Sequence, residues 1–232
     1  MQYGVCTSLR SGSTYLEELL HLNALGRPGE QLLHYHGPFE TQHMQDFLKT
    51  LRAQTPDHVP FGMKLTQAAD ERWRNIFQPQ KLIWLRRRDL MAQAISLYVA
   101  RTTRQFRLRA GDTPAPEVAF DRKQIRYRYH LLGTELGYWR GRLSEFHGPK
   151  MTVWYEDLCE SPVNTIWEIA TFLETPRAVS DIRTDVNLRI QRDPERNREW
   201  IARMKESVDV DAKAAEEVKL PEQPGSEQAP AA

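Results

Sequence analysis

Apolar and polar positions divide this chain into short hydrophobic runs separated by longer stretches of helical periodicity. Tyr3, Val5 and Cys6 mark a first strand, and Phe61-Gly62-Met63-Lys64-Leu65 a second. Lys81-Leu82-Ile83-Trp84-Leu85 is a continuous apolar run, the pattern of a parallel strand covered on both faces. Met151 to Tyr155 gives a fourth. After the first run, Leu16, Leu19 and Leu20 recur at helical spacing, with Glu17 and Glu18 expected to face away from the core. Further helices are expected around 45–54 and 68–77, and behind Asp89, a candidate cap with Ala94, Leu97 and Tyr98 turned inward. A long helix over 121–146 has Leu132, Leu136, Trp139 and Leu143 as its stripe. Ser161-Pro162 and Asp193-Pro194 are start signals for two more, the first with Ile166, Ile169, Ala170 and Leu173 on one face. Strands alternating with helices predict an α/β fold built on a parallel sheet with right-handed crossovers. Ligands of such sheets bind beyond the carboxyl ends of the strands, where Arg10, Lys64 and Arg88 fall.

At 232 residues one substantial core is the default. A single domain is expected over 1–206, followed by a tail, 207–232, poor in large apolar residues and expected to be disordered. Net charge of +1 excludes bulk attraction to nucleic acid or membrane, so any basic function must be local. Cys6 and Cys159 suit buried free thiols in a reducing compartment. With neither a leader nor an apolar span in view, a cytoplasmic protein is expected. The first strand lies close enough to Met1 to leave room for a longer natural start.

The chemistry concentrates in Arg10-Ser11-Gly12-Ser13-Thr14, a polar turn between the first strand and helix. Helix-start amides, three hydroxyls and a permanent cation make an oxyanion cradle for a phosphate or phosphosulfate. The plain alternative is an ordinary strand–helix connection, and the nucleoside-triphosphate motif Gly-x-x-x-x-Gly-Lys-Ser/Thr is absent. Arg88 and Ser96 add a guanidinium and a hydroxyl suited to a second phosphate. For Arg86 and Arg87 a solvated strand end is the expectation. His34, His36 and His43 have no completing carboxylate or cysteine and are taken as loop histidines, with no metal. The basic segment from Arg101 to Arg109 suits an acceptor surface or a dimer contact better than nucleic acid, since Phe106 is its lone Phe, Tyr or Trp.

Together these residues resemble a known family. Arg10 to Thr14, the run Leu85-Arg86-Arg87-Arg88-Asp89-Leu90-Met91-Ala92-Gln93-Ala94-Ile95-Ser96-Leu97, and Tyr155-Glu156-Asp157-Leu158 followed by Pro162 resemble sulfotransferases that use 3′-phosphoadenosine 5′-phosphosulfate (PAPS). Gly26-Arg27-Pro28-Gly29-Glu30 and the Phe61–Leu65 strand are similar to the bacterial trehalose 2-sulfotransferase-type family, over roughly Tyr3 to Lys205. The resemblance implies the sulfotransferase fold, a P-loop-like parallel β-sheet flanked by helices. It makes Arg10, Ser11, Gly12, Ser13 and Thr14 the phosphosulfate loop, places Tyr15 near the adenine, and gives the 3′-phosphate to Arg88 and Ser96. Arg10 and Lys64 would stabilise the leaving phosphate. Cytosolic relatives carry Lys-Thr-His where this chain has Lys64-Leu65-Thr66, so the resemblance points to Glu30 as the base, with His34 and His36 as fallbacks. Tyr155 to Leu158 are expected to be structural. Arg189, Gln191 and Arg192 lie within reach of the nucleotide but outside the firm set. The implied acceptor is a carbohydrate or glycolipid hydroxyl, met by loops 31–44 and 101–120, and a homodimer is admitted. Two rivals are a non-catalytic nucleotide-binding relative and an ATP-dependent phosphotransferase.

Overall fold

The computed structural model describes residues 1–109, 111–113, 116–188 and 194–217, with the side chains of 194 and 207–217 excepted. Strand β1 (Gln2–Thr7) leads into helix α1 (Ser13–Leu22), followed by α2 (Thr41–Ala53), β2 (Phe61–Leu65), α3 (Gln67–Trp73) and β3 (Lys81–Arg86). Next come α4 (Leu90–Thr103), α5 (Arg122–Glu145), β4 (Lys150–Trp154), α6 (Tyr155–Glu160) and α7 (Pro162–Phe172). These elements lie in one compact unit, Met1–Arg192; a second unit, Asp193–Ala232, carries α8 (Pro194–Glu217). That helix runs through 207–217, where composition predicts disorder; 218–232 and the cap Asp193 lie outside the described residues.

All strand pairs are parallel, in the order β2-β1-β3-β4. The chain therefore leaves β1 toward one side of the sheet and returns on the other, so β1 and β3 flank the point where strand order reverses. Side-chain alternation along the strands feeds two cores. Tyr3, Val5, Ile83 and Leu85 pack with Leu16, Leu19 and Leu20 of α1 and Ile166, Ile169 and Ala170 of α7. Cys6, Leu82 and Trp84 pack on the other face with Trp73, Leu136, Trp139 and Leu143. Strands β1, β2 and β3 are buried on both sides, while the edge strand β4 is partly exposed, which is why β2 and β3 contain no period-2 polar positions at their centres.

Asp89 caps α4, its carboxylate accepting the Ala92 N–H at 2.8 Å. Ser161 starts α7 by position, without a side-chain capping bond. His43 belongs to α2 and not to the preceding loop, pairing with Glu40 at 3.3 Å. Glu17 corrects the amphipathic reading of α1: it is buried, not solvent-facing. Its helix lies over the sheet such that position 17 meets Lys64 of β2, and the ion pair replaces the water the carboxylate would otherwise keep.

Candidate active site

The loop after β1 is shaped by backbone conformations that few residues tolerate. Arg10 has φ 62° and Gly12 φ 95°. A Cβ at Gly12 would lie 2.2 Å from the Tyr155 ring, so only glycine lets α1 start against that tyrosine. Gly12 brings no capping side chain to α1, an arrangement that leaves its first turn to serve an anion. Ser13, Thr14 and Tyr15 line the cleft in front of the loop, joined by Arg10, Arg87, Phe106, Arg107, Leu108, Tyr155 and Leu188. Ser11 does not join them. It is fully buried, with its hydroxyl paired to that of Thr7 and its N–H donating to the Ser8 carbonyl, so it shapes the turn from behind.

The arginines are distributed differently from the sequence expectation. Arg10 Nε donates to Ser96 Oγ at 3.1 Å, and its Nη1 donates to the Phe106 carbonyl. Burial, and after it the neighbouring Arg87 charge, pushes the Arg10 guanidinium down from its ordinary value. Ser96 is thus brought to Arg10 and not to Arg88. Arg88 instead forms a bidentate pair with Asp157 at 2.7 and 2.8 Å, and its N–H donates to Glu156 at 3.1 Å. Arg87 is the arginine of this run that faces the cleft, its guanidinium 3.9 Å from the Tyr155 ring centroid. Its buried Nε has no hydrogen-bond partner among the described residues.

Sequence alternation could have found it. Arg86 lies 4.2 Å from the Trp84 ring and 4.5 Å from that of Trp154, and Arg88 5.1 Å from Trp154. Period two therefore puts Arg86 and Arg88 on one side of the strand end and Arg87 on the other. Tyr155 is likewise a cleft residue, beyond the structural part expected of its motif.

A second, larger cavity of about 1000 Å³ opens beside β2, lined by Glu17, Arg27, Glu30, His34, Gln54 and Arg107 among others. Lys64 is the hub behind it. Its ammonium is 1% exposed and donates to Glu17 at 3.1 Å and Glu30 at 3.3 Å. It lines neither cavity, so the structure brings Lys64 to Glu30 and not to the loop cleft. The Gly29 carbonyl accepts the Lys64 N–H at 3.2 Å, clamping the Gly26–Glu30 loop onto the edge strand. Arg27 lies 3.8 Å from Glu17, and His34 3.4 Å from the second Glu30 oxygen. Burial pushes the Glu30 carboxyl up. The Lys64 charge and hydrogen bond, the Arg107 charge and the His34 bond outweigh it and hold Glu30 below its ordinary value. His34 therefore supports Glu30, while His36 is exposed and lines neither cavity. Among the described residues no His, Cys, Asp and Glu cluster could hold a metal ion. Arg189, Gln191 and Arg192 lie outside the described residues.

A parallel sheet with a polar, glycine-containing turn after its first strand, at the crevice where strand order reverses, has the architecture in which α/β proteins bind ligands. The chain belongs to the Stf0 sulphotransferase family, whose model matches residues 62–207, more than half its length. It is accordingly a sulfotransferase. The matched segment includes Lys64, Arg87, Arg88 and Ser96 and begins after the Arg10 loop and Glu30, whose placement rests on the geometry above. Solved structures are similar in fold. One is the sulfotransferase domain from the curacin biosynthetic pathway, at 17% identity and TM-score 0.53, over 83% of this chain and 80% of that one. Another is a sulfotransferase from Alicyclobacillus acidocaldarius, at 12% identity and TM-score 0.53, over 89% and 92%. No curated protein matches the chain. No helix among the described residues is long and apolar enough to cross a membrane.

Proposed function

We propose that the enzyme transfers the sulfuryl group of PAPS to a hydroxyl of a carbohydrate or glycolipid acceptor. One observation carries the donor half: the cleft at the β1–β3 crevice presents Arg10, Arg87 and Arg107 and no carboxylate among its lining residues. Guanidinia gathered in a cleft with no carboxylate among its lining residues suit an anionic ligand, and the Arg87 Nε, which has no hydrogen-bond partner among the described residues, fits that need. PAPS, when bound, supplies both the anionic groups and the sulfuryl group to be transferred. Arg10, the Ser13 and Thr14 hydroxyls and the α1 amides would hold the phosphosulfate and stabilise charge on the departing phosphate oxygen. Arg87 is the better placed arginine for the remaining phosphate, with Arg88 held on Asp157. Ser96 acts by orienting Arg10, and Lys64 by orienting and charging Glu30.

The Glu30 cavity supports the acceptor half. Its lining mixes carboxylates, amides, imidazoles and guanidinia with Leu51, Val59 and Phe61, a surface that both donates to and accepts from hydroxyls. Glu30, kept ionised, takes the acceptor proton as the new oxygen–sulfur bond forms. The reading calls for no metal. It takes 1–206 as the catalytic domain and a cytoplasmic setting.

Incubation with PAPS and a panel of sugars and glycolipids, trehalose first among them, followed by mass spectrometry, tests it. The expected product carries one added sulfuryl group, and formation stops in Glu30→Gln. Tight nucleotide binding with no product on any hydroxyl would favour a non-catalytic binding relative, and preferential use of ATP a phosphotransferase.

A further inference from the structure

We propose that Arg107 is a catalytic residue that grips the sulfuryl group as it crosses from donor to acceptor; this rests on the donor reading above. Arg107 is the lining residue common to the loop cleft and the Glu30 cavity. Arg107 therefore borders the donor side and the base side at once. The segment that carries it is fixed on both sides. Arg104, with φ 57°, turns the chain back after α4; the Phe106 carbonyl accepts from Arg10 of the phosphosulfate loop; Leu108 is buried; and the Arg109 N–H donates to Asp112 at 2.6 Å. The Arg10 bond ties the position of Arg107 to the loop that would hold the donor.

The chemistry of a guanidinium suits this place. Its planar fork matches two oxygens of a sulfuryl group, and its charge is permanent, so it orients the group without taking part in proton transfer. The same charge acts on Glu30. Charged and titratable groups reach Glu30 from Lys64 on β2, with Glu17 of α1 behind it, from His34 in the following turn, and from Arg107. Arg107 is the member of that set that also borders the donor cleft. It therefore sets both the line of approach of the sulfuryl group and the readiness of the base.

The distinguishing feature is the sulfuryl group itself, present in PAPS and absent from its product 3′-phosphoadenosine 5′-phosphate (PAP). Calorimetric titration of each, without acceptor, into wild type, Arg107→Ala and Arg107→Lys reads the difference. Arg107→Ala is expected to weaken PAPS binding about tenfold more than it weakens PAP binding, the size of one charged hydrogen bond. Arg107→Lys should recover part of the PAPS loss, which also guards against a folding defect. Equal loss of both ligands, or no loss of either, overturns the proposal and leaves the donor site standing. Wild type that binds neither ligand overturns the donor reading itself, and the proposal with it.

Discussion

The two cavities share Arg107 and contrast in nearly everything else. The loop cleft is cationic and unbalanced: burial, and after it the Arg87 charge, weighs on Arg10, and no carboxylate is among the lining residues. The Glu30 cavity is balanced internally, with Arg27, Glu17, Lys64 and Glu30 linked in alternating sign and His34 beside Glu30. An unbalanced site is completed by an anionic ligand. A balanced one holds a base in a fixed charge state and receives a neutral, hydroxyl-bearing partner. That difference is the ground for proposing the loop cleft as donor site and the Glu30 cavity as acceptor site.

The contrast can be broken most strongly at Glu30. Glu30→Gln should lower turnover by roughly 10²–10⁴-fold, the range for a positioned general base, while PAP affinity stays at the wild-type level. Joint loss of turnover and PAP binding would place Glu30 in the donor site instead. Lys64→Met attacks the balance itself, leaving two carboxylates without their buried cation. We expect a stability loss of about 3 kcal/mol by denaturant unfolding. The sign of the pH effect follows from Glu30. Lys64 helps hold its carboxyl down, so the acid limb of the wild-type rate profile lies below the ordinary glutamate value of about 4.3 and moves to higher pH in the variant. An unmoved limb would separate Glu30 from catalysis.

Arginine substitutions sharpen the comparison on the donor side. Arg87→Ala should weaken PAP binding by about 1.5–3 kcal/mol, as expected when a phosphate loses a charged partner. Arg88→Ala, which removes an exposed pair with Asp157, should leave PAP affinity within about twofold of wild type. The reverse order would return the 3′-phosphate to Arg88 and Ser96.

Much of this architecture was legible in the chain. The Lys81–Leu85 run is one residue short of β3, and Phe61–Leu65 is β2 itself, because strands buried on both faces are written as largely apolar runs, broken in β2 only by Lys64. The Arg10–Thr14 turn announced the cradle through residue types that glycine-dependent, hydroxyl-rich turns require. What stayed hidden depends on long-range partners. Glu17 looks solvent-facing by helical spacing, and Lys64, distant in sequence and adjacent in space, together with Arg27 makes its burial tolerable. Lys64 was expected at the phosphosulfate for the converse reason: a strand-end lysine carries no local sign of which neighbour claims it. Arg87 differs, since alternation against Trp84 held the information.

The proposed donor site stands or falls on whether the arginine-lined cleft binds a bisphosphate nucleotide. Calorimetric titration of PAP and of ATP into wild type and Arg87→Ala tests it most directly. Micromolar PAP binding, much weaker ATP binding, and loss of the PAP preference in the variant are expected. Equal affinity for PAP and ATP, unaffected by Arg87→Ala, would contradict it and reduce the cleft to a general anion turn.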